Sequence, residues 1–129
     1  MNRIEQKFAW LSTKREKALT LFLTAGFPAI DSTVNLVLEL ERAGADIIEL
    51  GMPFSDPLAD GLTNQLAAQR ALENGMTAAR VLELVRRLRA EFPAAPLVFY
   101  TYYNLVFANG VDAYIRAAQA AGVDALLTL

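Results

Sequence analysis

A chain of 129 residues that is 54% hydrophobic and 20% charged carries enough apolar material for one core and is unlike a disordered segment. Twelve basic against fourteen acidic side chains, a net charge of −2, exclude the positive footprint of a nucleic-acid or anionic-membrane binder. With neither cysteine nor histidine, disulfides, thiol nucleophiles, Cys/His zinc sites and imidazole chemistry are excluded, so acid–base work falls to Asp, Glu, Lys or Tyr.

Asn2 to Arg15 places Ile4, Phe8 and Leu11, with Trp10 beside them, about one helical turn apart, which predicts an amphipathic helix. Ala18 to Thr24 is a short, nearly uncharged run ended by Gly26 and Pro28, the pattern of a strand buried on both faces. From Asp31 or Ser32, Val34, Leu36, Val37, Leu38 and Leu40 form the apolar face of a helix closed by Gly44, and Asp46 to Leu50 is a second strand. A loop reaches Gln65, followed by a short helix over Leu66 to Glu73 and another capped by Thr77, with Val81, Leu82, Leu84, Val85 and Leu88 on its apolar face. Leu97 to Tyr102 is a third strand, Val111 to Ala121 a helix, and Val123 to Leu129 a fourth apolar run. No apolar run reaches the roughly 18 residues of a membrane span, and MNRIEQKF lacks a signal-peptide core, so no membrane and a cytoplasmic location are expected.

Strands alternating with helices imply an α/β fold with parallel strands and right-handed crossovers. The recurrence of strand plus helix, and the absence of any linker, predict a single partial (β/α)-barrel domain over residues 1–129, ending within the fourth strand. A whole barrel takes about 250 residues, so about four of its β/α units are expected here. Strands one and four would then lie at exposed edges.

Ligands in parallel α/β folds sit at the carboxyl ends of strands. One such end is the richest in chemistry: Glu49 to Gln65, ELGMPFSDPLADGLTNQ, where acids, prolines and glycines follow a buried-looking run. Strand alternation sets Ile47 and Glu49 on one face and Ile48 and Leu50 on the other, so Glu49 is either inside a barrel or against its helices. A carboxylate beside apolar neighbours is suited to proton transfer; the plainer alternative is a strand-end glutamate that reaches water or pairs with an arginine. Asp56 and Asp60 accompany Ser55 and Thr63, and loop aspartates commonly serve their own turns. The spacing of Asp56, Asp60 and Asn64 matches no calcium loop, so no metal is expected. Phe22, Tyr100, Tyr102 and Tyr103, with Asn104, form either a ligand wall or ordinary core. No dinucleotide or Walker phosphate loop is present.

Three stretches, TAGFP at Thr24 to Pro28, ELGMPFSDPLADG at Glu49 to Gly61 and TYYNLVF at Thr101 to Phe107, resemble the tryptophan synthase alpha subunit family. The resemblance runs from the first helix to Leu129 and implies a (β/α)8 TIM-barrel fold. It also implies a lyase of tryptophan biosynthesis that cleaves indole-3-glycerol phosphate by retro-aldol chemistry. On this resemblance Glu49 is the general acid–base and Asp60 stabilises charge at the indole N–H. Phe22, Tyr100, Tyr102, Leu127 and Thr63 contact substrate, while Asp56 and Pro57 face the beta subunit of an alpha2-beta2 heterotetramer. The subunit takes no cofactor, pyridoxal phosphate (PLP) being expected only in the partner. Where the family has Pro-Thr-Ile-Gln after ADG, this chain has Leu62 and Asn64 around Thr63, which implies a looser loop. The family's phosphate anchor follows later strands, so these residues alone are expected to be weak or inactive. The alternative is a non-catalytic half-barrel that binds the beta subunit or self-associates through exposed strand edges.

Overall fold

The computed structural model describes residues 1–129. Its elements run α1 (Arg3–Lys14), β1 (Thr20–Thr24), α2 (Ser32–Arg42), β2 (Ile47–Gly51), α3 (Leu62–Glu73), α4 (Ala78–Glu91), β3 (Leu97–Thr101), α5 (Tyr103–Ala108), α6 (Val111–Ala121) and β4 (Ala125–Thr128). The strands form one parallel sheet in the order β1-β2-β3-β4, the first half-circuit of a (β/α) barrel. No helix is long and apolar enough to cross a membrane.

Every second residue of the inner strands faces the helices. Ile48 and Leu50 of β2 and Leu97 and Phe99 of β3 share a core with Val34 and Val37 of α2, with Val81, Leu84, Val85 and Leu88 of α4, and with Ala118 and Ala121 of α6. Burial of each large aliphatic side chain contributes about 1.5–3 kcal/mol, more than an exposed ion pair at about 0–1. The helix periodicity read from the sequence exists to fill this layer.

Three expectations are corrected. β1 is not buried on both faces: Thr20 is exposed and Leu21 to Leu23 are half-buried, because β1 is an outermost strand and Phe22 turns away from the helices. The helix after the long loop begins at Leu62 rather than Leu66, with Gly61 as its N-cap. Gly61 supplies no capping side chain, so the usual signal for a helix start is missing. Leu62 occupies the first helical position, where proline is tolerated because its missing N–H has no intrahelical partner, so leucine there leaves the helix start intact. Finally, β3 ends at Thr101 and Tyr102 becomes the N-cap of α5, a six-residue helix too short to show periodicity.

The amino ends of the strands are closed by charge. Asp124, just before β4, accepts hydrogen bonds from Arg89 Nη2 at 2.6 Å, Arg3 Nη1 at 2.9 Å and the Leu97 amide at 2.9 Å. Arg89 also donates to the carbonyls of Gly122, at 2.7 Å, and Ala95. Burial lowers the Arg89 pKa from its ordinary value, and the charge and hydrogen bond of Asp124 oppose that against the like charge of Arg3. Gly122 has φ +101°, and a Cβ there would meet Arg89 Cγ at 2.7 Å, so glycine serves both the turn and the passage of the arginine. α1 begins with a reciprocal capping box between Asn2 and Glu5. It is held across this end by Arg3 and by Lys7, whose Nζ lies 3.4 Å from Asp46.

Because the Asp124 side chain is only 3% exposed and Arg89 11%, removing one partner strands a buried charge. Asp124→Ala is expected to lower the unfolding free energy by about 3–5 kcal/mol. Arg42→Ala, which breaks an exposed pair with Glu39, is expected to change it by less than about 0.5 kcal/mol. Urea unfolding of the two variants checks this, and equal effects would reject the account.

Candidate active site

The face turned away from the helices is set out in two rungs by the parallel register. Phe22, Glu49, Val98 and Ala125 align across the sheet, and one step toward the carboxyl ends so do Thr24, Gly51, Tyr100 and Leu127. The alternation that buries Ile48 and Leu50 thus resolves the earlier choice for Glu49: it lies on the inner side of the barrel arc. Glu49 is half-buried and its side chain makes no hydrogen bond or ion pair, so the alternative of an arginine partner does not hold.

Gly51 has a packing role. A Cβ at this position would lie 2.6 Å from Phe22 Cζ, so the absent side chain is the space into which the Phe22 ring leans. There Phe22 meets Tyr100 edge to face, with centroids 5.1 Å apart and planes at 72°.

Asp60 comes to the same place from the loop. Tyr102 Oη donates to Asp60 Oδ2 at 2.8 Å, and Tyr100 Oη donates to Oδ1 at 3.4 Å. The Asp60 amide donates to the Pro57 carbonyl at 3.1 Å, and Gln65 Nε2 donates to the Asp60 carbonyl at 2.8 Å. This residue is therefore held through side chain and backbone, despite Leu62 and Asn64 in the sequence that follows. Phe22, Thr24, Gly51, Phe54, Pro57, Asp60, Asn64, Tyr100 and Tyr102 surround one narrow cleft.

The other expected residues divide. Leu127 is on the inner face beside Tyr100 in register, 37% exposed. Thr63 is exposed on the first turn of α3 and outside the cleft, where its neighbour Asn64 stands instead. Asp56 is exposed and accepts from Ser55 Oγ at 2.8 Å, while Pro57 lies half-buried against the cleft and Leu58 is 89% exposed. Nowhere do three acidic side chains converge as metal ligands do. Phe54 went unnoticed in the sequence, yet it stacks on Tyr102 with centroids 5.1 Å apart. An apolar residue inside a polar loop was the available signal.

The electrostatics gather on the phenols. Burial raises the pKa of Tyr100, and the charge of Asp60, the hydrogen bond to it and the charge of Glu49 raise it further. Tyr102 is raised by burial and then by its bond to Asp60, against the Ala59 amide, which favours the phenolate. The strand-end segments 25–31, 52–61 and 102–110 contain no lysine or arginine; the first carries Asp31, the second Asp56 and Asp60, and the third, which includes α5, no charge.

The family model described as "Tryptophan synthase alpha chain" matches residues 8–129. A curated tryptophan synthase alpha chain from Opitutus terrae is 60% identical over 129 residues, all of this chain and 48% of that one. Its counterpart from Citrifermentans bemidjiense is 54% identical, again over all of this chain and 48% of the relative. Among solved structures, tryptophan synthase subunit alpha from Legionella pneumophila superposes with a TM-score of 0.97 at 37% identity, over 100% of this chain and 49% of that one. The chain spans about half the length of the curated relatives it matches.

Burial also raises Tyr114, so three of the four tyrosines are expected to ionise above pH 10 in the folded chain. Their contribution to stability is fully present below about pH 10, the unfolded value, and is lost as pH rises through the higher folded values. Absorbance titration of phenolate checks this. A folded chain whose curve overlays that of the urea-unfolded chain would contradict it.

Proposed function

The chain belongs to the tryptophan synthase alpha chain family, and on that premise we propose that it serves the retro-aldol cleavage of indole-3-glycerol phosphate to indole and glyceraldehyde 3-phosphate. In this reading Glu49 delivers a proton to indole C3, and the ring becomes an indolenine with positive charge at its N–H. Asp60 accepts a hydrogen bond from that N–H and stabilises the charge. The glycerol hydroxyl next to the ring gives its proton to the Glu49 carboxylate, the carbon–carbon bond breaks, and its electron pair restores the aromatic ring. One proton enters at carbon and one leaves oxygen, so a single acid–base group suffices.

The observation that carries this reading is a juxtaposition on the inner face: Glu49, with no side-chain partner, pairs in register with Phe22, whose ring packs on Tyr100, and Tyr100 and Tyr102 reach Asp60 on the loop. Phe22, Tyr102 and Leu127 supply the apolar wall for an indole ring. Thr63, although outside the cleft, stays close to it on the first turn of α3. The strand-end segments offer a phosphate no lysine or arginine, and Asp56 and Asp60 oppose one, which supports an orientation with the phosphate held by groups outside them. The reaction asks no cofactor of this chain. Exposed Asp56 and Leu58, with Pro57, support docking of a PLP-dependent beta subunit on the same loop in an alpha2-beta2 assembly. A second reading, self-association of the half-barrel, is favoured by β1 and β4, each paired on one side only.

In a chain of the relatives' full length carrying these residues, Glu49→Gln is expected to reduce kcat by about 10²–10⁴-fold with melting unchanged. Retained turnover would remove Glu49 from the reaction. The 129 residues alone are expected to turn over little, since binding energy at the phosphate end helps position the reacting carbon; robust activity without further chain would count against that orientation.

A further inference from the structure

Tyr102 leaves β3 as the N-cap of α5, is 9% exposed and lies against Phe54. Its hydroxyl is used twice. It donates to Asp60 Oδ2 at 2.8 Å and accepts from the Ala59 amide at 3.0 Å. One oxygen thus grips two consecutive residues of a loop more than forty positions away in sequence.

We propose that Tyr102 is a positioning residue for Asp60, with Tyr100 as its weaker partner, an assignment that rests on the reading of Asp60 given above. The two phenols differ in strength: 2.8 Å is an ordinary O–H···O bond, whereas 3.4 Å at Tyr100 lies beyond the usual range. A carboxylate offers about four lone-pair positions, so a phenol on each oxygen leaves acceptor capacity for an indole N–H. Held through Oδ2 and through the neighbouring amide, Asp60 does not have to be oriented when charge develops on the substrate. The ring and the hydroxyl have separable jobs. The ring packs on Phe54 and walls the pocket, while the hydroxyl acts only through the loop.

Tyr102→Phe isolates the second job. In a chain of the relatives' full length, kcat for indole-3-glycerol phosphate cleavage is expected to fall about tenfold, the loss of one hydrogen bond to a charged group, with KM within about twofold. In an Asp60→Asn background the same change is expected to cost nothing further. A loss of equal size in both backgrounds, or one confined to KM, overturns the proposal and makes Tyr102 a wall alone. Failure of the parent reading looks different: Glu49→Gln and Asp60→Asn would then both leave turnover intact. A readout independent of turnover is amide exchange by NMR in the 129-residue chain. Tyr102→Phe is expected to speed exchange at Ala59 at least tenfold while β2 and β3 amides hold their rates, and an unchanged Ala59 rate overturns the grip. Should that variant not fold, the unmutated chain decides: a cross-peak between the Tyr102 hydroxyl proton and the Ala59 amide is expected, and its absence overturns the proposal.

Discussion

Asp124 is the point on which the arrangement of the strands depends. A carboxylate this deeply buried is tolerable only when its lone pairs are filled, and here the donors come from α1, α4 and β3. Elements distant in sequence are thereby drawn to one end of the sheet. Arg89 extends the effect by binding one carbonyl ahead of β3, Ala95, and one ahead of β4, Gly122, where a side chain would block it. With the amino ends sealed by charge and by α1, the loops at the carboxyl ends carry little of this structural duty. They are free to be shaped by chemistry.

The carboxyl end solves a different problem, how to fix a loop acid without an arginine. Asp60 is held by neutral donors, two phenols, and by backbone contacts within its own loop. A guanidinium in this position would neutralise the charge that the proposed reaction needs, whereas phenols orient a carboxylate and leave it negative. The absence of lysine and arginine from the three strand-end segments, two of which carry aspartates, follows the same logic. Their field favours positive charge on a bound ring and disfavours an anion in the same place.

Much of the fold was legible because it is built on period. The apolar runs from Asp46, Leu97 and Val123 and the helical faces of α2 and α4 show in spacing alone which side chains enter the core. What escaped has a physical reason in each case. β1 reads as buried on both faces because its run is nearly uncharged, and the apolar Phe22 gives no sign that it faces away from the helix layer. α3 starts early because Gly61 caps without a side chain, and α5 is too short for a pattern. The site was half legible. The prominence of Glu49 to Gln65 and the face of Glu49 are local properties, but the bonds to Asp60 span 40 and 42 residues and leave no mark on the loop's own pattern. The resemblance named both acids; the fold supplies what holds Asp60 and leaves the Glu49 side chain without a partner.

The register of β2 has a consequence for how such a chain can change. Neighbouring side chains on this strand belong to opposite worlds, Ile48 and Leu50 to the helix layer and Glu49 to the inner face. Deleting or inserting one residue upstream within the strand would exchange these memberships, driving a carboxylate into an apolar layer that has no donor for it and two aliphatic side chains out of it. The same event would shift Gly51 out of step with Phe22. Variation by length is thus barred from β2 and diverted to the loops, while variation by substitution remains open on either face separately. A site of this kind can change its ligand without its strand ever changing phase.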